Sequence, residues 1–201
     1  MELEHWNKYY NINKVPFEPS DFSKFVIKKI KKYDSLVDVG CGNGRDSIYF
    51  ASKKIRTTGI DQSNIAISNL EKIKNENLEF ICSDFKSLNF ESNFDHGYAR
   101  FYFHAVSEDE QNDTLIWLSK NIKSFLFVEN RISVKSDNFS LPKDHFRRIE
   151  NQKKLIDSIE SYGFKLEYKK ISRKFSKYKS SYNVSDIKSD PLLIRLIFSK
   201  K

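Results

Sequence analysis

The sequence predicts an α/β fold, a mostly parallel sheet with helices on both faces. From Leu36 onward, short apolar runs alternate with stretches of helical periodicity joined by short links. The first run, LVDVGCGNGRD (Leu36 to Asp46), ends in an acid and a glycine-rich turn that opens into a helix. Acids mark the first three runs: Asp38 inside the first, Asp61 after the second and Asp84 after the third. In an open α/β sheet that edge is where ligands bind.

Taken in order, residues 1 to 20 mix Trp6, Tyr9, Tyr10 and Phe17 with polar residues and Pro16 and Pro19, which predicts an irregular arm. Ser20 or Asp21 then caps a helix burying Phe22, Phe25, Val26 and Ile30, and ending near Tyr33. Leu36, Val37 and Val39 form a buried strand. Asp46 and Ser47 precede the helical face Ile48 to Ala51, whose N-terminal amides aim at the turn. A strand at Ile55 to Ile60, a helix from Ser63 to Lys74 and a strand at Leu78 to Cys82 follow. The fourth strand covers Phe94 to Ala99. Ser107 and Glu110 then make a capping box for a helix holding Leu115, Ile116 and Leu118. Phe125 to Glu129 is the fifth strand, and the polar link 130 to 149 is long enough to be a functional segment. A helix from Asn151 to Tyr162 stops at Gly163, and Phe164 to Ile171 is the sixth strand. Leu192 to Phe198 is the last; the link before it has no helical period, so strands six and seven can be antiparallel neighbours at the sheet edge.

At 201 residues the chain fits one domain, 1 to 201, since domains usually run from about 50 to 250 residues. Within it, 1 to 33 is the arm and first helix, and 130 to 149 and 172 to 190 are loops on the substrate side. No apolar run approaches the roughly 18 residues that span a bilayer, and the N-terminus lacks a signal peptide's apolar stretch, so the expected location is the cytoplasm. Cys41 and Cys82 read as reduced thiols, and no metal knuckle is formed. The net charge of +8 fits a nucleic-acid partner, an anionic small substrate or a Lys-rich solvated surface alike.

The three acids and the glycines favour one cofactor class. A carboxylate after the second strand suits a ribose diol, because it accepts two hydroxyl protons, and Asp61 lies about twenty residues past Gly40. A dinucleotide site would place a third glycine at position 45, which is Arg45. An adenosine along the strand ends instead gives Asp84 a partner in the adenine amino group, with the Phe85 amide donating to a ring nitrogen.

On DVGCGNG (38 to 44), Asp61 and SDF (83 to 85), the chain resembles the class I S-adenosylmethionine-dependent methyltransferases over nearly its whole length. The resemblance implies a three-layer α-β-α Rossmann-like methyltransferase fold. Its seven-stranded sheet is mostly parallel with an antiparallel C-terminal edge strand. It implies S-adenosyl-L-methionine as cofactor, S-adenosyl-L-homocysteine as product, and Gly40, Gly42 and Gly44 beside the amino-acid part of the cofactor. Asp38, Cys41, Gln62, Arg100, Tyr10 and Ser20 complete the expected cofactor site. YARFYFHA (98 to 105), Glu129 with Arg131, DHFRR (144 to 148), DPLLIR (190 to 195) and an N-terminal Trp6, Tyr9, Tyr10, Pro19, Ser20, Phe22 pattern are similar to a bacterial subgroup associated with capsular or other surface-polysaccharide biosynthesis.

An alcohol acceptor must lose a proton, and imidazole titrates near neutrality, so His104, then His145, then Glu129 are the candidate bases. His104 could equally be a packing residue at a helix entry. Arg100, Arg131, Arg147 and Arg148 stand as arginines in a Lys-rich chain and, with Phe101 and Tyr178, are expected at the acceptor. Guanidinium suits a bidentate grip on carboxylate or phosphate, although ion pairing within the chain would also explain it. The expected acceptor is a small anionic molecule, phosphorylated or nucleotide-activated. Two alternatives remain. RNA or DNA methylation is prompted by the basic aromatic stretch near Lys174, but YARF stands where exocyclic-amine enzymes carry Asn or Asp, Pro, Pro and an aromatic. The other is a non-catalytic binding protein with this fold.

Overall fold

The computed structural model describes residues 3–14, 18–88, 93–132, 148, 151–175 and 192–201. Seven strands form one sheet: β1 (Ser35–Val39), β2 (Arg56–Asp61), β3 (Leu78–Cys82), β4 (Phe94–Arg100), β5 (Ile122–Arg131), β6 (Phe164–Ser172) and β7 (Leu193–Lys200), in the order β3-β2-β1-β4-β5-β7-β6. β1 to β5 pair in parallel, and β7 is antiparallel to both β5 and β6. This is the Rossmann-like methyltransferase architecture, with strand order reversing between β1 and β4.

The period of two along each strand builds the layers. Leu36, Tyr98 and Phe127 face one side, where they pack with Phe22 and Val26 of α2 (Asp21–Val26) and Phe50 of α3 (Arg45–Ser52). Val37, Val39, Ala99 and Val128 face the other, against Leu115 and Leu118 of α5 (Glu108–Asn121) and Leu155 and Ile159 of α6 (Gln152–Ser161). A third cluster seats α4 (Asn64–Leu70) through Ile67 and Leu70 on Leu78 and Phe80. The capping box of Ser107 and Glu110 forms at the start of α5.

Two expectations need correction. The N-terminal arm is a helix, α1 (Leu3–Ile12), not an irregular segment. No residue of it is fully buried; it is tied to α4 by the Ser63 hydroxyl donating to Asn7 Oδ1 and by Asn69 Nδ2 donating to the Tyr10 carbonyl. The helix after Ser20 ends at Val26, well before Tyr33, where the backbone reaches φ +71°. Ile27 and Ile30 beyond Val26 still pack against the Phe22 and Val26 cluster, but as a turn and not as a continued helix.

Candidate active site

Beyond the carboxyl ends of β1 to β5 the surface opens into a cleft of about 1150 Å³. Ordinary ligand pockets span about 300–1,000 Å³, so the volume admits a cofactor together with an acceptor. Among the described residues, Tyr10, Ser20, Asp38, Gly40, Cys41, Gly42, Asp61, Gln62, Asp84, Phe85, Arg100, Phe101, His104, Glu129 and Arg131 line it, each of them expected at the site. Gly44 and Arg148 are not lining residues, and His145, Arg147 and Tyr178 fall outside the described residues. No helix among the described residues is long and apolar enough to cross a membrane.

The glycine turn is built for close approach. Gly40 and Gly42 have φ of +67° and +56°, and a Cβ on Gly40 would lie 2.6 Å from the Tyr102 ring, one on Gly42 against the Tyr10 hydroxyl. Gly44 instead turns inward: it N-caps α3 at φ +72° and packs on Leu70 and Phe80. The Gly42 amide donates to Asp61 Oδ2 (2.9 Å) and the Ser63 amide to Oδ1 (2.9 Å). A carboxylate offers about four acceptor positions, so two remain for a diol. At the far end, exposed Asp84 accepts from the Ser87 amide, and buried Phe85 meets Tyr102 and Trp117 edge-on. These donors and acceptors fit an adenosine-type cofactor.

A buried acid network lies beneath the turn. Asp38 accepts from the Ser47 hydroxyl at 2.5 Å. Asp46 was expected to precede its helix, but Gly44 takes the cap and Asp46 sits inside α3, where it accepts from the Ser20 amide and hydroxyl and from the Tyr98 hydroxyl, all at 2.8 Å. Burial pulls Asp46 upward, but Arg100, Arg45 and the Ser20 amide prevail and hold it below the usual carboxylate range. Asp38 goes the other way: burial, then the Asp46 and Asp61 carboxylates, push it up to about 7. Burial also raises Asp61, against the opposing amides of Ser63 and Gly42.

The Asp38 shift has a signed consequence. Between its ordinary value of 3.8 and about 7, the folded chain keeps a proton that the unfolded chain has released, so raising the pH favours unfolding across that window. Urea midpoints should therefore fall with rising pH relative to those of Asp38→Asn, and the gap should stop widening above about pH 7. A pH-independent gap would remove the raised carboxyl.

At the other end of the cleft, register assembles the charges. Arg100 of β4 pairs across to Glu129 of β5, and Glu129 to Arg195 of β7, so the three side chains lie in a row. Glu129 Oε1 accepts from Arg100 Nε at 2.9 Å and Oε2 from Arg195 Nε at 2.6 Å. Glu129, expected as a base, is thus the shared counter-ion of two guanidiniums. Arg195 also lies 4.0 Å from the Phe175 ring centroid. Phe101 follows β4 in the left-handed region (φ +59°), a strained setting for a non-glycine residue, with its amide donating to the Glu129 carbonyl. Arg100 lies 4.0 Å and Arg131 5.3 Å from its ring centroid.

His104 is buried in the 3-10 turn Phe103–Ala105, with Nδ1 2.8 Å from Asn130 Oδ1. Arg148, expected at the substrate, braces this turn: its guanidinium donates to the Phe103 carbonyl and to Gln111 Oε1, and its amide to the His104 carbonyl. The residues the sequence did not single out are Asp46 as a network acceptor, Tyr98, Arg195 and Asn130. Arg195 closes the DPLLIR segment, which was the only available signal for it.

Residues 36–124 match the family described as a methyltransferase domain. A probable cobalt-precorrin-6B C(15)-methyltransferase (decarboxylating) from Methanococcus maripaludis is 23% identical over 196 residues, 94% of each chain. Among solved structures, the Burkholderia thailandensis 1,6-didemethyltoxoflavin-N1-methyltransferase, with bound S-adenosylhomocysteine, superposes with a TM-score of 0.71 at 15% identity over 90% of this chain and 76% of that one. The cyclase SpnF reaches the same TM-score of 0.71 at 18% identity over 89% and 79%. At such identities the structures speak for the fold, and the family match with the glycine turn speaks for the chemistry. Residues 36–124 therefore carry a methyltransferase domain, and the chain as a whole is similar to S-adenosylmethionine-dependent methyltransferases in fold and in the make-up of its cleft.

Proposed function

We propose that the enzyme, acting as one domain over residues 1–201, transfers the methyl group to a hydroxyl of a small anionic acceptor, a phosphorylated or nucleotide-activated sugar or polyol used in building surface polysaccharide. The division of charge along the cleft carries this reading. Asp38, Asp61 and Asp84 stand at the ends of β1 to β3, whereas the ends of β4 and β5 present Arg100 and Arg131 beside Glu129, with Arg195 buried behind Glu129 and with Glu110 and Asp113 of α5 also lining the cleft. A cationic cofactor suits the first end and an anion the second. The polysaccharide setting rests on the subgroup-like motifs at 98 to 105 and 144 to 148. The relatives' names specify a nitrogen and a carbon as methylated positions; hydroxyl oxygen is the reading that gives a base at His104 a task.

When bound, S-adenosylmethionine supplies an activated methyl group on a positively charged sulfur. Asp61 would accept the ribose hydroxyls, Asp84 and the Phe85 amide would read the adenine, and Gly40 and Gly42 would admit the amino-acid part beside Asp38, Cys41, Ser20, Tyr10 and Gln62. Arg100 and Arg131 would hold the acceptor's anion while His104 takes its hydroxyl proton. Fixing the partners in this way can contribute about 7–11 kcal/mol to lowering the barrier.

The test is methyl transfer from labelled S-adenosylmethionine to matched acceptors with and without a phosphate. Product from the phosphorylated members, with KM raised at least tenfold in Arg131→Met, is expected. Transfer to tRNA alone, or equal rates with neutral acceptors, would contradict it.

A further inference from the structure

We propose that Asn130 is a positioning residue that fixes the tautomer of His104 and so makes Nε2 the atom that takes the acceptor's proton; this rests on reading His104 as the base. Asn130 is fully buried on β5, where it pairs with Ile194 of β7. A buried carboxamide has to place both its donor and its acceptor end. Its Nδ2 donates to the Arg131 carbonyl at 3.3 Å, which leaves Oδ1 as the end turned to His104 Nδ1 at 2.8 Å. A carbonyl oxygen only accepts, so Nδ1 carries the ring proton and donates, and in a neutral imidazole the lone pair then sits on Nε2.

The rest of the turn holds the ring in place. Phe101 meets it edge-on at 5.7 Å between centroids, and the Arg148 amide donates to the His104 carbonyl at 2.8 Å. Consecutive residues at the end of β5 therefore serve the two halves of the acceptor site: Glu129 orders the guanidiniums and Asn130 the imidazole. In the step itself the acceptor O–H bond would break with its proton going to Nε2, and the pair left on oxygen would form the new bond to the methyl carbon as the carbon–sulfur bond breaks, its electron pair staying on sulfur to give neutral S-adenosylhomocysteine. The imidazolium so formed still donates from Nδ1 to Asn130.

Among the described residues, the charged and titratable groups lining the cleft around His104 are Arg100 of β4, Glu129 and Arg131 of β5, and Glu110 and Asp113 of α5, with Arg148 bonded to the turn. Asn130 is the neutral member, and a charge introduced there acts directly on the ring. Asn130→Asp keeps an acceptor for Nδ1–H and adds an opposite charge, which raises an imidazole's pKa by about 1–3 units.

Nitrogen NMR of the protein without cofactor or acceptor reads the tautomer, with His104→Gln assigning the signal. The wild type should be protonated at Nδ1. Asn130→Leu should lose that preference and lower kcat by about 10–100-fold, the range for removing a group that orients a functional histidine, with KM for the acceptor little changed. Asn130→Asp should keep the tautomer and move the acidic limb of the kcat profile upward by about one unit or more. A wild-type ring protonated at Nε2, or an acidic limb unmoved in Asn130→Asp, would overturn the proposal. If the tautomer behaves as stated but His104→Gln transfers methyl at the wild-type rate, it is the base role of Nε2 that falls.

Discussion

Glu129→Ala is expected to destabilise the fold by about 3–5 kcal/mol, the range for removing one partner of a buried ion pair. Its carboxylate is 1% exposed and holds Arg195, itself 8% exposed, and Arg100, 22% exposed. Removing it leaves two guanidiniums facing each other across one strand. Cleft water reaches Arg100, so its share of the loss is the smaller. Glu129→Gln keeps one acceptor and should fall between. Urea denaturation measures both, and a loss below about 1 kcal/mol would mean that the row from β4 to β7 is no more than a surface pair.

Gly42→Val is expected to weaken S-adenosylmethionine binding at least a hundredfold. Two costs combine: a β-branched residue at φ +56°, and a Cβ placed against the Tyr10 hydroxyl. The Gly42 amide also orients Asp61, so displacing it disturbs the expected ribose acceptor. Gly163→Ala is the control. Gly163 has φ +83°, but a Cβ there meets only the Lys200 Nζ at 3.3 Å, so that variant should lose stability and keep its affinity. Calorimetry separates the two; equal affinity in Gly42→Val and wild type would remove the turn from the cofactor site.

Much of this fold was legible because each strand is a compact apolar run and the turn residues are explicit. β3 matched its expected bounds, and Gly163 stopped α6 as anticipated. α1 was not legible: its aromatics Trp6, Tyr9 and Tyr10 line the cleft and its aliphatic Leu3 and Ile12 are exposed, so no stripe faces the core, and the nearby prolines argued against a helix. The grouping of Asp38, Asp61 and Asp84 along the cleft was legible because Asp38 and Asp61 lie near the carboxyl ends of β1 and β2 and Asp84 just beyond β3. At the acceptor end, Glu129 and Arg195 lie 66 residues apart and meet only through the β5 to β7 register. Tyr98 and Asp46 likewise join across 52 residues with no local pattern to announce it. Arg100 and Arg148 were legible as arginines, but their partners Glu129 and Gln111 were not.

Calorimetric titration of the wild-type chain with S-adenosylhomocysteine and with NAD tests the central claim most directly. The structure and the family match lead to one S-adenosylhomocysteine bound per chain, lost in Gly42→Val and weakened in Asp61→Ala, and to no heat from NAD. Absence of S-adenosylhomocysteine binding, or tight NAD binding in its place, would contradict the assignment of the cleft.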